Sequence, residues 1–307
     1  MPGSSEELRS AVRSAIGRVG VWSFSLERHP VAREREAVAE IESLGYPALW
    51  IPEGLGSKDA LSHAALLLSA GSDIVVATGI ASIWARDPVA MANGGRALAE
   101  AFPGRFVLGI GVSHRTSVDR RGAFRYERPY ERMVEYLEAM DQARYPVREA
   151  PDGPPVLLAA LGPKMLRLAA ERTAGAHPYF VPVEHTARAR ETLGVGPILA
   201  PEQAVVLERD SDRARTIARN YMQHYVKLEN YANNLLRLGY ADDDLGEGGS
   251  DRLVDDIVGW GDVEAIHKRV TEHLDAGADH VSVQILTEDP AEIPLPQLKE
   301  LAPALLG

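Results

Sequence analysis

Short apolar runs alternate with amphipathic stretches along almost the whole chain. The runs are continuously apolar, which is typical of strands that are buried on both faces of a parallel sheet. They predict eight strands, at 18–24, 48–51, 74–83, 105–110, 155–160, 176–181, 204–208 and 280–286. Apolar residues at helical spacing predict helices between them, at 31–44, 57–70, 88–101, 129–143, 163–173, 184–193, 262–276 and 296–306.

Eight strands that alternate with helices predict an α/β fold, a (β/α)8 TIM barrel, rather than an open sheet. We see no second core, so residues 1–307 are expected to form a single domain. A long helical region starts at 211, and an acidic loop follows it. We interpret 211–260 as a helical insertion between strands 7 and 8. Barrels of this kind place their active sites at the carboxyl ends of the strands, which directs attention to the loops there.

The composition excludes several kinds of site. The chain has no cysteine, which rules out disulfides, thiolate metal sites and cysteine nucleophiles. A net charge of -11 argues against nucleic acid or an anionic membrane as a partner. We expect a cytoplasmic protein, because no signal peptide or transmembrane span is apparent. The nine histidines show no zinc-binding spacing, so no metal site is expected. No GxSxG elbow occurs, and no GxGxxG opens the first helix.

Polar or small residues follow several of the predicted strands. Glu53, after the second strand, would point into the barrel mouth, although a solvated or helix-capping carboxylate fits the pattern equally well. Gly79 in the third strand indicates a bulge, a close backbone approach to a ligand, or simple packing. At the end of the fourth strand, Gly111, Val112 and Ser113 would let a flat ring lie against the strand ends.

His114 follows these residues and is the best candidate for an acid or base, since histidine titrates near neutral pH. The plainer interpretation is a surface histidine. The polar stretch 114–128 contains five arginines, which fits an anion-attracting lid or a mobile solvated loop. On the last but one predicted helix, His267 and His273 are expected to face solvent.

The fifth predicted strand runs straight into a helix at Gly162 and Pro163. The free N–H groups and the dipole of a helix start form a phosphate site, and Lys164 could add a positive charge. A helix start without any ligand is the alternative.

Four blocks of sequence carry a resemblance to a known family. They are IVVATGIASIWARDPVAMANGGRALAEAFPGRFVLGIGVSH, LLAALGPKMLRLAAERTAGAHPYFVPVEHT and HLDAGADHVSVQIL, together with AVAEIESLGYPALWIPE near the start. The chain resembles the luciferase-like monooxygenase superfamily from about Val19 to Leu286. The block LLAALGPKMLRLAAERTAGAHPYFVPVEHT looks most like the branch of this superfamily that uses coenzyme F420.

The resemblance implies a deazaflavin (coenzyme F420) or a flavin (FMN) that lies across the barrel mouth. The third strand of the family usually has a bulge with a non-prolyl cis peptide behind the ring, which corresponds here to Gly79, Ile80 and Ala81. The family's phosphate pocket corresponds to the turn after the fifth strand. The residues that carry over to this pocket and its border are Ala160, Leu161, Gly162, Pro163, Lys164, Phe180, Val181 and His185.

One departure limits what the resemblance implies. The sugar-phosphate dehydrogenases of this superfamily have Asp-His after the second strand, where this chain has Glu53-Gly54. They also have a glutamate where His114 falls. Their substrate and proton relay should therefore not be transferred to this chain.

The function predicted from these observations is that of an F420-dependent oxidoreductase. It would transfer hydride between C5 of the deazaflavin and an unidentified small organic molecule, with His114 as proton donor or acceptor and Glu53 in contact with ring or substrate. An FMN-dependent monooxygenase and a flavin-binding barrel without turnover remain alternatives. By resemblance we also expect a homodimer.

Overall fold

The computed structural model describes residues 5–122, 125–147 and 152–307. These residues form a single curled sheet with helices packed around it. The strands are β1 (Val19–Trp22), β2 (Ala48–Ile51), β3 (Val75–Thr78), β4 (Ala81–Ser82), β5 (Phe106–Gly111), β6 (Val156–Leu158), β7 (Gly175–Ala176), β8 (Ile198–Leu199), β9 (Glu202–Leu207), β10 (Val258–Gly261) and β11 (Val281–Ile285).

The helices follow the strands in alternation over most of the chain. They are α1 (Ser5–Ile16), α2 (Val31–Ser43), α3 (Ala60–Leu68), α4 (Pro88–Ala101), α5 (Arg115–Arg121), α6 (Pro129–Asp141), α7 (Pro163–Arg172), α8 (Val183–Leu193), α9 (Ser211–Tyr225), α10 (Glu229–Arg237), α11 (Asp251–Ile257), α12 (Val263–Asp275) and α13 (Leu295–Leu306). Two 3-10 helices lie at Leu26–Arg28 and Asp242–Gly248. Among the described residues, no helix is both long and apolar enough to cross a membrane.

All strand pairs in the sheet are parallel, as the continuously apolar runs predict. The order is β10-β9-β11-β1-β2-β3-β5-β6-β7-β8, and β4 pairs with β5. Only Ala200 and Pro201 separate β8, which pairs with β7, from β9, which pairs with β11. The two ends of the ladder therefore come together at one short stretch of chain.

Alternate residues of each strand pack on opposite faces of the sheet. On β2, Leu49 and Ile51 pack among the helices on the outer face. Ala48 and Trp50 belong instead to an inner cluster that also contains Val107 of β5. The inner face is thus filled by side chains, and the space for a ligand lies beyond the strand ends.

α1 covers the amino ends of the strands. Its residues Val12 and Ile16 are buried in the inner cluster. Arg13 forms an ion pair with Asp279, which precedes β11. The carbonyl of Gly17, directly after α1, accepts a hydrogen bond from Nδ1 of His280 at 2.9 Å. The amino end of the sheet is therefore closed, and the carboxyl end is where a site can open.

Several predicted boundaries are wrong for identifiable reasons. The predicted strand 74–83 is interrupted by a cis peptide bond between Gly79 and Ile80, so β3 and β4 are separate. The cis peptide that the family resemblance implied is thereby confirmed. The predicted strand 176–181 shortens to β7, because the chain leaves the ladder after Ala176 and turns at Phe180, which has a φ of 58°.

Other predictions missed elements altogether. The polar composition of 114–128 predicts a loop, but α5 occupies part of this stretch, and Val118 is the buried residue of α5. Ala123 and Phe124 lie outside the described residues. The stretch 211–260 is not purely helical, since β10 pairs with β9. His273 does not face solvent: it is 0% exposed and bonded to Thr186 and Gln203.

Candidate active site

A cavity of about 460 Å³ opens at the carboxyl ends of the strands, within the size range of small-molecule sites. Residues that end or follow β1, β2, β3, β5, β6 and β7 line it, and α9 and α10 form the remaining wall. The sequence-predicted site residues that line it are Glu53, Gly79, Ile80, Val112, Ser113, His114, Ala160, Leu161 and Gly162.

The remaining predicted site residues do not line this cavity. Ala81 and Gly111 are buried behind Ile80, and a Cβ on Gly111 would come within 2.8 Å of the Ile80 side chain. Phe180, Val181 and His185 are buried below the surface of the cavity, while Pro163 and Lys164 are exposed on the outside of the α7 turn. Seven of the residues predicted to contact the cofactor therefore lie outside the lining of this cavity.

The floor of the cavity is formed around Gly79. A Cβ at this position would lie 2.7 Å from Nε1 of Trp22 and 2.9 Å from Nε2 of His177, so a side chain here would displace one of them. Both nitrogens are buried and have no hydrogen-bond partner among the described residues. Unsatisfied buried polar atoms are unusual in native proteins and call for an explanation.

His177 is held in one tautomer. Its Nδ1 lies 2.6 Å from the carbonyl oxygen of Ala200, which can only accept, so Nδ1 carries the proton and Nε2 presents a lone pair. The ring stacks on Trp50 at a centroid distance of 4.3 Å. Burial lowers the pKa of His177 to about 4, against the opposing effect of the Ala200 hydrogen bond. This histidine is therefore neutral at physiological pH.

His114 also lines the cavity, directly before α5. Its Nδ1 is 2.9 Å from Oδ1 of Asn230 on α10, which leaves Nε2 without a hydrogen-bond partner among the described residues. Burial lowers the pKa of His114, and the Asn230 hydrogen bond opposes this shift. A neutral imidazole with one free nitrogen at a cavity wall can accept a proton from a ligand.

The turn from β6 into α7 brings the start of a helix to the cavity. Gly162 is the N-cap residue and Pro163 opens the helix, as the sequence predicts. One guanidinium nitrogen of Arg237, from α10, lies 3.7 Å from the position that a Cβ on Gly162 would occupy. Among the described lining residues, Arg237 is the only lysine or arginine. Free N–H groups and a cation at one point suit an anionic group.

The chain's relatives agree with this architecture. The model of the family described as "Luciferase-like monooxygenase" matches residues 14–280 of the chain. The chain belongs to the luciferase-like monooxygenase family. A protein of Mycobacterium tuberculosis named "Putative coenzyme F420-dependent oxidoreductase" is 26% identical over 93% of this chain and 96% of its own length.

Solved structures show the same fold at low identity. An F420-dependent secondary alcohol dehydrogenase in complex with an F420-acetone adduct superposes with a TM-score of 0.74 at 17% identity, over 94% of this chain and 98% of that one. The oxygenating constituent of 3,6-diketocamphane monooxygenase from Pseudomonas putida, in complex with FMN, gives a TM-score of 0.67 at 16% identity, over 93% and 95% of the two chains.

Glu53 of this protein forms an ion pair with Arg86. Its carboxylate contacts the guanidinium of Arg86, which also pairs with Asp59. The same carboxylate accepts the backbone N–H of Ser82 at 2.7 Å. Both oxygens are thus occupied, and the network ties the end of β2 to β4 and to the start of α3. Sequence alone could not reveal Arg86, because the pair spans 33 residues.

A tyrosine cluster on the α9–α10 side was not predicted. Tyr179, Tyr225 and Tyr231 line the cavity. The hydroxyl of Tyr221 donates to that of Tyr179 at 2.9 Å, and Tyr179 in turn contacts Oε1 of Gln284 at 2.9 Å. Tyrosines at helical spacing give no signal that separates a cavity wall from ordinary core, so the sequence could not identify them.

Glu202 lies beneath this cluster on β9 and is 2% exposed. One oxygen accepts the backbone N–H of Phe180 at 3.2 Å, and the other has no partner among the described residues. Burial raises the pKa of Glu202 to about 8, although the Phe180 N–H opposes the shift. Glu202 is thus a carboxylic acid that is largely protonated at neutral pH.

The residues around the cavity fit a flat tricyclic ring with a phosphate-bearing tail. Gly79 leaves the floor free of a side chain. Gly162 and Arg237 lie at another part of the lining and suit an anion. Among the described residues, no group of three or more His, Asp or Glu side chains could hold a metal ion.

Proposed function

We propose that the protein is an F420-dependent oxidoreductase that transfers hydride between the deazaflavin and a small organic substrate. The observation that carries this proposal is the cavity itself, with a side-chain-free floor at Gly79 and a helix start with a neighbouring arginine at Gly162. The relative named for F420 matches almost the whole chain, which favours F420 over FMN as the ring.

We also infer that the curled sheet is a (β/α)8 barrel. In this interpretation β8 and β9 count as one strand, and α9, α10, α11 and β10 form an insertion before β11. α9 and α10 then serve as the wall that the insertion adds to the cavity. The cofactor would be enclosed between this wall and the strand ends.

The deazaflavin, when bound, supplies a carbon that accepts or gives up hydride, and the protein binds and orients it. In this proposal Gly79 and Ile80 support one face of the ring, and Val112 and Ser113 contact its border. The α7 start and Arg237 hold the phosphate. His114 accepts or donates the substrate proton through Nε2 and keeps its other nitrogen on Asn230. Glu53 positions the β2 end through Arg86 rather than transferring a proton.

An FMN-dependent monooxygenase is the second candidate, because the family is described as monooxygenases, and a monooxygenase component in complex with FMN has the same fold. Titration of the purified protein with F420 and with FMN, followed by fluorescence, separates the two. We expect F420 to bind at least tenfold more tightly. Tighter binding of FMN would overturn the F420 proposal in favour of the FMN-dependent monooxygenase. Failure of both cofactors to bind would overturn both functions and leave only the assignment of the fold.

A His114→Ala variant tests the catalytic part of the proposal. We expect it to bind F420 as the wild type does, but to lose about 10²-fold or more in turnover with any substrate that the wild type reduces or oxidises. His267→Ala is the matched control, since His267 is exposed on α12. Equal turnover in the two variants would remove His114 from the mechanism.

A further inference from the structure

A second cavity of about 340 Å³ lies at the carboxyl ends of β1 and β11, beside the first. Its volume is within the range of small-molecule sites. Trp22 and Phe24, at the end of β1, and His224 and Tyr225, at the end of α9, line both cavities. The two cavities therefore adjoin at these four residues, which we call the shared wall. A molecule that crosses the shared wall would extend from the proposed cofactor site into the second cavity.

The second cavity is apolar inside. Phe24, Ile217 of α9, Leu286 and Ile293 contribute side chains to its lining. The charged residues in its described lining are all exposed, and they are Arg28, Glu288 and Glu292. A charge buried among apolar side chains would lose its hydration without gaining a partner. The interior therefore suits an uncharged group with a large apolar surface.

A network of three phenols meets the cavity at Gln284 of β11. The hydroxyl of Tyr179 lies 2.9 Å from that of Tyr221, 3.1 Å from that of Tyr225 and 2.9 Å from Oε1 of Gln284. Each phenol has one proton, and an amide oxygen only accepts. Tyr179 therefore donates to Gln284, while Tyr221 and Tyr225 donate to Tyr179. All three phenolic protons and Oε1 are engaged in this arrangement.

The amide nitrogen of Gln284 is left over as a donor. Gln284 is 5% exposed and lines the second cavity but not the first. Its Nε2 has no hydrogen-bond partner among the described residues. Unlike the sealed nitrogens of Trp22 and His177, Nε2 keeps surface that a ligand can reach. A neutral donor of this kind, held by Tyr179 in an apolar cavity, favours a ligand with an uncharged acceptor such as a carbonyl oxygen.

We propose that the second cavity binds the apolar part of the substrate and that the amide N–H of Gln284 donates to an uncharged oxygen on it. This inference rests on the proposed function and deepens it by naming the substrate class: a neutral, apolar molecule with an acceptor oxygen such as a carbonyl. The reacting carbon lies in the first cavity beside His114, and the rest of the molecule reaches the second cavity across the shared wall. Gln284 thus sets specificity and takes no part in hydride transfer.

The dye Prodan, a neutral naphthyl ketone whose emission shifts when it leaves water, tests the location of the site. A Leu286→Trp variant places a larger side chain in the second cavity, and we expect it to bind Prodan about tenfold more weakly than the wild type. Met165→Trp is the matched control, since Met165 lines the first cavity and not the second. We expect its affinity to stay within about twofold of the wild type. Equal affinities in the wild type and Leu286→Trp, or a loss confined to Met165→Trp, would overturn the inference.

Gln284→Met tests the hydrogen bond, because the change keeps the length of the side chain and removes the N–H donor. Prodan is compared in each protein with its analogue that has a methylene in place of the carbonyl, and the affinity of the analogue is measured by displacement of Prodan. We expect the preference for the ketone over the analogue to fall about fivefold in the variant, as the loss of one neutral hydrogen bond predicts. An unchanged preference would show that Gln284 does not select the ligand and would overturn the inference.

Cofactor titrations separate this inference from the proposed function. F420 and FMN should bind to Leu286→Trp as they do to the wild type, because Leu286 does not line the first cavity. Binding of a cofactor to the wild type without binding of Prodan would overturn the inference alone. Binding of Prodan at the second cavity without binding of either cofactor would overturn the proposed function and leave this cavity as a site for an apolar ligand.

Discussion

At the scale of single residues, Glu202 couples stability to pH. Burial keeps it protonated up to a pKa of about 8 in the folded protein, whereas an unfolded glutamate ionises near pH 4.5. Between these values the unfolded chain binds fewer protons than the folded one. The contribution of Glu202 to stability is therefore complete at low pH and is lost as the pH rises towards 8.

A Glu202→Gln variant should remove this dependence. The quantity to compare is the free energy of unfolding of the variant minus that of the wild type. We expect this difference to be about 2–3 kcal/mol larger at pH 8 than at pH 5, because glutamine cannot ionise but can still accept the Phe180 N–H. Urea unfolding at the two pH values measures the difference. Glu191→Gln, on the exposed side of α8, is the control. A benefit that is the same at both pH values would contradict the prediction.

His273 illustrates what residue-level reasoning misses. Its place on an amphipathic helix predicted a solvent-facing histidine, but it is buried between Thr186 of α8 and Gln203 of β9. Both partners lie at least 70 residues away in sequence. A pattern within one helix cannot reveal a hydrogen bond that only the tertiary packing creates. The partners of Glu53 and His177 could not be predicted for the same reason, because they are also distant in sequence.

At the scale of elements, α10 brings Asn230 to His114 and so sets the state of that histidine. An Asn230→Asp variant places a carboxylate where the amide was, and its charge should stabilise the imidazolium. We expect the lowered pKa of His114 to rise by about one unit or more, as followed by NMR across a pH titration. The nearby charges of Arg115 and Glu229 are exposed and remain in both proteins.

Asn233→Asp provides the matched control for this experiment. Asn233 lies on the same helix and lines the same cavity, but it makes no hydrogen bond to His114. A carboxylate there changes the net charge by the same amount without touching the imidazole. An equal pKa rise in the two variants would show that α10 acts through general charge rather than through the Asn230 contact.

Most of the regular elements could be predicted from the sequence, and the irregular ones could not. The helices that begin at Pro88, Pro163 and Val263 have proline or Asp262 at their starts, which are local signals. α5 has a single buried residue and therefore no apolar periodicity to detect. β10 is a strand only because β9 lies beside it. Capping residues and apolar periodicity predict an element from its own sequence, whereas the sequence does not show which distant strand an element will pair with.

At the scale of the whole molecule, four buried histidines predict sensitivity to acid. Burial lowers the pKa of His177, His185 and His280 to about 4 and that of His273 to about 3. Unfolded histidines bind protons near pH 6.5, so the stability that these residues contribute is present above that pH and is lost as the pH falls towards 4.

The expected size follows from proton counting. On unfolding, these four histidines take up four protons and Glu202 releases one, and together these five groups contribute a slope of about 3–4 kcal/mol per pH unit near pH 5. The slope is measured from urea unfolding at pH 5.0, 5.5 and 6.0. A stability that is flat over this range would mean that the histidines become solvated without unfolding.

The candidate site was predictable in its outline but not in its floor. Gly79, His114 and Gly162 stand at the carboxyl ends of predicted strands, where the barrel rule directs attention. Trp22 ends β1 and His177 follows β7, and only the curling of the sheet brings both residues next to Gly79. The residues adjacent to Trp22 and to His177 in the sequence give no indication that these two side chains are neighbours.

The position of α1 has a practical consequence for measurements on the intact protein. This helix and the last turn of α13, where Leu306 approaches Gly45, both lie at the amino ends of the strands. A bead, sensor chip or fusion partner attached through either helix would therefore sit on the far side of the molecule from the cavity. Immobilised protein would present its binding mouth outward, without steric interference from the anchor.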